Sequence, residues 1–324
     1  MLGRAIDAIL TLNPWIEVAV KCTYWRFGWL HRLLGVLHRR WQRPQEAAAI
    51  AVDPTLLPRV LQQLRDFGVQ EGDLLIVHSS MGNLKKLGAS PAALIAALQS
   101  LIGARGTLAM PTFPVFANAP QGLAAMNDAA CGEELVYNVA TTPSWTGVIG
   151  TTLQRMEGAI RSRHPLNTLT ALGPQAAAMM AYNLDGEHPL ACGRNSPWYY
   201  AVEHGAKVVA LGTDLTRSLT MLHVSEDAWE TAWPIANWYR ERRFHVIDGA
   251  FERHLVCPER RPQSSNNLAS HTLRKDMLAA GVLRAASIGG VTVELLEARA
   301  LIDFLAVRKH TGYPYFTLQP RKVR

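Results

Sequence analysis

The sequence predicts an α/β fold built on a largely parallel sheet, and three observations carry the prediction. Short apolar runs of strand length alternate with longer segments of helical period. Glycines and Ser/Asp–Pro pairs fall between them, where stops and caps belong. The composition, 48% hydrophobic and 18% charged over 324 residues, supplies a sizeable core and excludes disordered, collagen-like and coiled-coil chains.

Residues 1–45 read as a basic, Trp-rich helical arm and 46–324 as the body. Residues 1–43 hold seven Lys or Arg against Asp7 and Glu17, so the arm carries +5 of the chain's +7. The body is nearly neutral, with no basic stripe interleaved with aromatics, and nucleic acid is not an expected partner. From Trp15 to Arg43 the pattern is helical. Glu17, Lys21, Arg32, Arg39 and Arg43 share one face; Val18, Cys22, Trp25, Trp29, Leu33 and Val36 share another. Such a helix suits a lipid headgroup layer, or packing on its own body or on a second subunit in a homodimer. The longest uncharged stretch near the start, Ala8 to Ile16, is far below the ~20 residues that span a bilayer. With no signal-peptide pattern and four scattered cysteines (Cys22, Cys131, Cys192, Cys257), the expectation is a cytoplasmic protein with reduced thiols, with peripheral contact at the inner membrane face as a candidate role for the arm.

In the body, Asp53-Pro54 starts a helix that runs to Phe67 and stops at Gly68. Asp73 to His78 is a buried strand, Ser90-Pro91 caps a helix through Leu101, and Thr107 to Met110 is a second strand. Phe113 to Trp145 has no clear period and reads as a long loop. A helix follows Thr146-Gly147 to about Met156, and Ala206 to Leu211 is another strand. A helix holding His223 comes next, and a final amphipathic helix covers about Val293 to Leu305.

The signatures of dinucleotide, P-loop, zincin and serine-elbow enzymes are absent from the sequence. Three constellations remain. His78-Ser-Ser-Met81 ends a strand, where open α/β sheets bind ligands; it is either a phosphate or carbonyl site or a capping turn. Arg161-Ser-Arg-His-Pro165 is either a compact anion site or a solvated basic loop. Thr220, His223 and Glu226, spaced i, i+3, share one helix face, where the carboxylate would orient the imidazole as a general base.

The order of these motifs resembles the aminoglycoside 3-N-acetyltransferase family. The resemblance runs over roughly residues 50–305, through Leu74-Leu-Ile-Val-His-Ser-Ser, Gly106-Thr-Leu-Ala-Met-Pro-Thr112, Arg161-Ser-Arg-His-Pro165, Asn195-Ser-Pro197, Val208-Val-Ala-Leu-Gly212 and Thr220-Met-Leu-His223-Val-Ser-Glu226. It implies a three-layer α/β/α sandwich, acetyl-coenzyme A as co-substrate with no metal, and a primary amine of an amino sugar as acceptor. It also implies that His223 is the catalytic base and Glu226 its partner. Ser79, Ser80 and Met81 would lie along the donor's thioester and pantetheine arm, with Ser162 and His164 nearby. The backbone N–H groups of 79–81 or the Thr220 hydroxyl would meet the developing oxyanion. Lys85 and Lys86 stand where the family has Gly and an apolar residue; they suit a coenzyme A phosphate or an anionic acceptor. The acceptor is an aminoglycoside or a sugar of a surface-polysaccharide or lipid-linked precursor. The rival readings are an acyltransferase or hydrolase using Ser79 or Ser80 covalently, and a non-catalytic scaffold at a membrane surface.

Overall fold

The computed structural model describes residues 8–27, 51–120, 124–228, 233, 235–308 and 311–316. The strands are β1 (Leu74–Ser79), β2 (Thr107–Pro111), β3 (Leu135–Asn138), β4 (Ile160–Arg161), β5 (Leu169–Leu172), β6 (Lys207–Leu211), β7 (Tyr239–Asp248), β8 (Phe251–Arg260), β9 (Leu283–Ile288) and β10 (Val291–Glu297). The longer helices are α1 (Pro14–Arg26), α2 (Leu56–Asp66), α3 (Pro91–Ile102), α4 (Val148–Gln154), α5 (Pro197–Glu203), α6 (Ser270–Ala279) and α7 (Ala298–Ala306).

Seven strands form one sheet in the order β4-β5-β2-β1-β6-β10-β9. Only its centre is parallel, β1 pairing with β2 on one side and β6 on the other. The other four pairings are antiparallel, so the expected largely parallel sheet is in fact mixed. One cause is local. Gly289 and Gly290 both take positive φ, 55° and 76°, and their tight turn joins β9 to β10 as a hairpin. The helix expected from Val293 therefore begins at Ala298, and Val291–Glu297 is a strand whose apolar residues are buried.

The parallel centre is buried on both faces, which is why β1 reads as an unbroken apolar run. Leu74 and Ile76 pack with Trp198, Val208 and Ala210. Leu75 and Val77 point the other way, into a cluster with Leu64, Leu94, Ile95 and Leu98 from α2 and α3. The expected caps are present: Ser90 Oγ accepts from Ala93 N at 3.1 Å, and Gly103 closes α3 with φ 67°. Asp53 caps one turn early, accepting from Thr55 N at 2.9 Å, and α2 starts at Leu56.

A second sheet, β3-β7-β8, went unread in the sequence. Part of the expected loop 113–145 folds into it as β3, parallel to β7. β7 and β8 form a ten-pair hairpin turning at Gly249-Ala250, over a core of Tyr137, Phe244, Val246, Leu255 and Cys257.

The arm's helix ends at Arg26, where Phe27 is extended, rather than continuing as one helix to Arg43; residues 28–50 lie outside the described residues. Its docked surface draws on both faces, with Val18 of the apolar face and Glu17 of the charged face buried. Glu17, 1% exposed, accepts from Ser270 N (3.0 Å), Ser270 Oγ (2.8 Å) and His271 N (3.0 Å), capping the start of α6 from the far end of the chain. Burial works against that charge, but hydrogen bonds from His271, Lys21 and Ser270 and the Lys21 ammonium outweigh it and bring the Glu17 pKa to about 2. Lys21 Nζ donates to Leu268 O at 2.7 Å, and Trp15 packs edge-on against Phe316.

Candidate active site

The site lies where β1, β2 and β6 end, beyond the carboxyl edge of the parallel strands. Gly212 leaves β6 with φ 65°, and a Cβ there would sit 3.0 Å from Leu84 and 3.1 Å from Ser80 O; glycine alone allows that turn and that approach. The chain then runs through the one-turn helix Leu215–Ser218, a 3-10 turn Thr220–His223 and the one-turn helix Val224–Asp227. Buried Glu294 on β10 holds this segment in place, accepting from Leu215 N (2.8 Å) and from Arg274 Nε (2.7 Å) on α6.

Two cavities meet along the segment and share Arg217, Ser218 and Thr220. One, of about 210 Å³, is walled by Val77, His78 and Ser79 of β1, the end of β2, and Phe113, Trp145 and Thr146. The other, of about 140 Å³, is walled by His223 together with Leu268, Ser270, Leu273 and Met277. Thr220 thus faces both, and the threefold period of the 3-10 turn sets His223 on the same side as Thr220.

His223 Nδ1 donates to Glu226 Oε1 at 2.7 Å, which leaves Nε2 as the ring's accepting nitrogen. The Glu226 carboxylate has no solvent exposure. Trp238 Nε1 donates to its Oε2 at 2.9 Å, Tyr315 OH donates to Oε1, and Arg260 Nε lies 2.6 Å from Oε2 as an ion pair. Arg260 also bonds Asp227 Oδ2 at 2.7 Å, and Asp227 accepts from Tyr239 OH (2.6 Å) and Cys192 N (2.8 Å). Burial favours a neutral Arg260, but Asp227 and Glu226 beside it win and hold the guanidinium protonated well above its ordinary range. The imidazole is therefore set on a fully committed, rigid carboxylate.

The residues singled out in the sequence separate into two groups. Ser79, Thr220 and His223 face the cavities, and Glu226 stands directly behind His223. Ser80 and Met81, half-buried at the start of the one-turn helix Met81–Leu84, are not among the lining residues, and the Ser80 N–H is spent on Leu211 O at 3.0 Å. Ser162 and His164 are not brought to the cavities. Both are buried: Ser162 Oγ accepts from His164 N, while His164 Nδ1 accepts from Leu166 N and its Nε2 donates to Pro189 O. The anion-site reading of 161–165 is overturned in the same way. Arg161 donates to the carbonyls of Val139, Thr142 and Thr112, and Arg163 pairs with Asp248 at 2.6 Å. Lys86 Nζ donates to Gly289 O at 2.9 Å.

The model of the family described as aminoglycoside 3-N-acetyltransferase matches residues 76–308. The chain belongs to that family. It is 30% identical over 274 residues to aminoglycoside N(3)-acetyltransferase VII of Streptomyces paromomycinus, covering 78% of this chain and 90% of that one. It is 29% identical to aminoglycoside N(3)-acetyltransferase IX of Micromonospora chalcea, covering 78% and 92%. The fold is similar to that of AAC-IIIb, solved as a binary complex with CoASH, with a TM-score of 0.65 at 22% identity over 82% of this chain and 98% of that one. The protein is thus an N-acetyltransferase. No described helix is long and apolar enough to cross a membrane.

Several residues of the candidate site carry no local signal in the sequence. Arg260, Tyr239, Trp238 and Tyr315 are remote in sequence from the carboxylates they hold, and no local period signals them. Arg217 lines both cavities and has no ion-pair partner among the described residues. His78 is the buried residue of the His78-Ser-Ser-Met81 run. It is 5% exposed and walls the larger cavity; its Nε2 has no partner among the described residues, and its ring stacks on Trp198 at 6.2 Å.

Burial alone pushes the His78 pKa down to about 4, and burial lowers His164 as well. The unfolded chain binds these protons from about pH 6.5 while the fold refuses them, so stability is expected to fall as pH drops from about 6.5 to 4. His78 accounts for about 3 kcal/mol of the loss. Urea titrations across that range should give a flatter profile for His78→Gln than for the native chain; identical slopes would contradict the assignment.

Proposed function

We propose that the chain transfers acetyl from acetyl-coenzyme A to a primary amine of an amino sugar, directly, with His223 as general base and Glu226 as its orienting carboxylate. The observation that carries this reading is the 2.7 Å bond from His223 Nδ1 to a Glu226 buried behind it, in the wall of the smaller cavity, which shares Thr220 with the larger one. Relatives named aminoglycoside N(3)-acetyltransferases and a structural neighbour holding CoASH support the donor and the acceptor class.

The lining residues fit the donor. The larger cavity offers the hydroxyls of Ser79 and Thr220, whereas the Thr146 hydroxyl is spent on Pro111 O at 2.6 Å; Arg217 in its lining suits the anionic part of coenzyme A. Thr220 and Ser79, whose hydroxyls have no described protein partner, would donate to the carbonyl oxygen as charge develops on it. His223 Nε2 takes the proton that the amine nitrogen loses as it bonds to the carbonyl carbon, and returns it to the departing thiolate. A covalent route has less support. Ser79 has no hydrogen-bonded base among the described residues, and burial raises the Cys192 pKa to about 12. Aminoglycosides are polycationic, yet no carboxylate lines either cavity among the described residues, so surface-polysaccharide or lipid-linked amino sugars belong in the acceptor panel. Glu230, four residues after Glu226, lies outside the described residues.

Coenzyme A at a hundredfold over its Kd should stabilise the native chain by about 2.7 kcal/mol. Ser79→Phe, which fills the larger cavity, should remove the thermal shift; a full shift would move the donor elsewhere. For residues 1–45 the proposal retains peripheral contact with an anionic leaflet, supported by the exposed Leu12, Trp15, Val20 and Phe27. Salt-sensitive co-sedimentation with anionic vesicles would support that contact. No binding by the full chain would sink that contact; no binding together with changed sedimentation behaviour on deleting the arm would assign this surface to a second copy instead.

A further inference from the structure

The small sheet buries one face and leaves the other in solvent. Phe244, Val246, Leu255 and Cys257 point into the core. On the open face, β7 and β8 set His245 directly opposite His254, their imidazoles 4.2 Å apart between centroids and within 11° of parallel. Glu134, just before β3, joins them: its Oε1 lies 3.0 Å from His254 Nδ1. Among the described residues, Glu134, His245 and His254 are the only three His, Cys, Asp or Glu side chains whose ligand atoms all lie within 4.8 Å of one another.

We propose that Glu134, His245 and His254 bind a borderline divalent cation of the zinc class. Imidazole with carboxylate is the donor set of zinc, nickel and copper, whereas magnesium and calcium take oxygen. The supporting layer is already in place. His245 Nε2 donates to Glu252 Oε1 at 2.6 Å, which fixes the tautomer and frees Nδ1, the carboxylate–histidine arrangement usual behind a metal-bound imidazole. Arg243, two residues away on the same face, is turned aside to Gly132 O. The side chains of His245, Glu134 and His254 are 19%, 39% and 63% exposed, so the ion can enter and water can complete its coordination.

The ion would tie the 113–145 excursion to the β7–β8 hairpin. That hairpin also carries Tyr239 and Arg260, which hold Asp227 and Glu226. The site lies outside the acyl-transfer step and supplies no group to it.

The test is calorimetric titration of zinc chloride into the chelator-stripped full chain, paired with thermal unfolding. The expected result is about one equivalent bound at micromolar Kd or tighter and a higher unfolding temperature, with no such rise from magnesium. His254→Ala should weaken zinc at least ~10-fold, and His245→Ala/His254→Ala should abolish the shift; both lie on a solvent face and leave the core intact. His223→Ala should bind zinc as the native chain does. Absence of binding below millimolar zinc, or native affinity in the double variant, would overturn the proposal.

Discussion

His223→Ala is expected to lower acceptor-dependent release of coenzyme A by ~10²–10⁴-fold while the thermal shift produced by coenzyme A stays native. The imidazole is the ring that a buried, fully satisfied carboxylate presents to the smaller cavity. Its removal takes away the proton acceptor but leaves the larger cavity, whose lining does not include His223. Glu226→Gln should be milder for turnover, because the imidazole remains, and costlier for stability, because Arg260 loses a counter-charge. Turnover of the alanine variant within a few-fold of native would remove His223 from the mechanism.

The second large effect is on folding. Arg260→Leu should destabilise the chain by about 3–5 kcal/mol. Arg260 lies between the carboxylates of Glu226 and Asp227, whose side chains are 0% and 1% exposed. Without the guanidinium, two like charges face each other out of water. Removing one partner of a buried ionic cluster strands the rest, and that penalty exceeds the net worth of the pair. Denaturant midpoints of the two chains measure it directly. A loss below about 1 kcal/mol, the range of exposed ion pairs, would show that solvent reaches the cluster.

What the sequence made legible follows from the range of the forces involved. β1, β2, β6, α2 and α3 were readable because burial on both sheet faces demands unbroken apolar runs, and because Ser90, Gly103 and Asp53 mark ends by local hydrogen bonding and backbone freedom. The His223–Glu226 contact was readable because three-residue spacing acts within one turn, although the expected single helix is a 3-10 turn followed by a one-turn helix. The mixed sheet was not, because the direction of β10 depends on its partner β6, which lies some 80 residues earlier. β7 was hidden by charge: Tyr239-Arg-Glu-Arg-Arg-Phe-His-Val-Ile-Asp248 looks solvated until Arg242, Phe244 and Val246 are counted as one alternating buried face. Period-two counting with the following Gly249 would have found the hairpin. The failures at Arg161 and His164 share one reason. Polar side chains in a loop advertise ligand chemistry and backbone satisfaction equally, and here Thr112, Val139, Thr142 and Pro189 carbonyls use them. The docking of Glu17 onto Ser270 joins opposite ends of the chain, beyond any local pattern.

Direct transfer is tested by incubating the full chain with acetyl-coenzyme A and a panel of aminoglycosides and other amino sugars, then weighing products and protein together by mass spectrometry. Direct transfer predicts one acetyl group on an acceptor amine and a protein of unchanged mass throughout the reaction. An acetylated protein accumulating before product, or coenzyme A released with every acceptor unmodified, would contradict it.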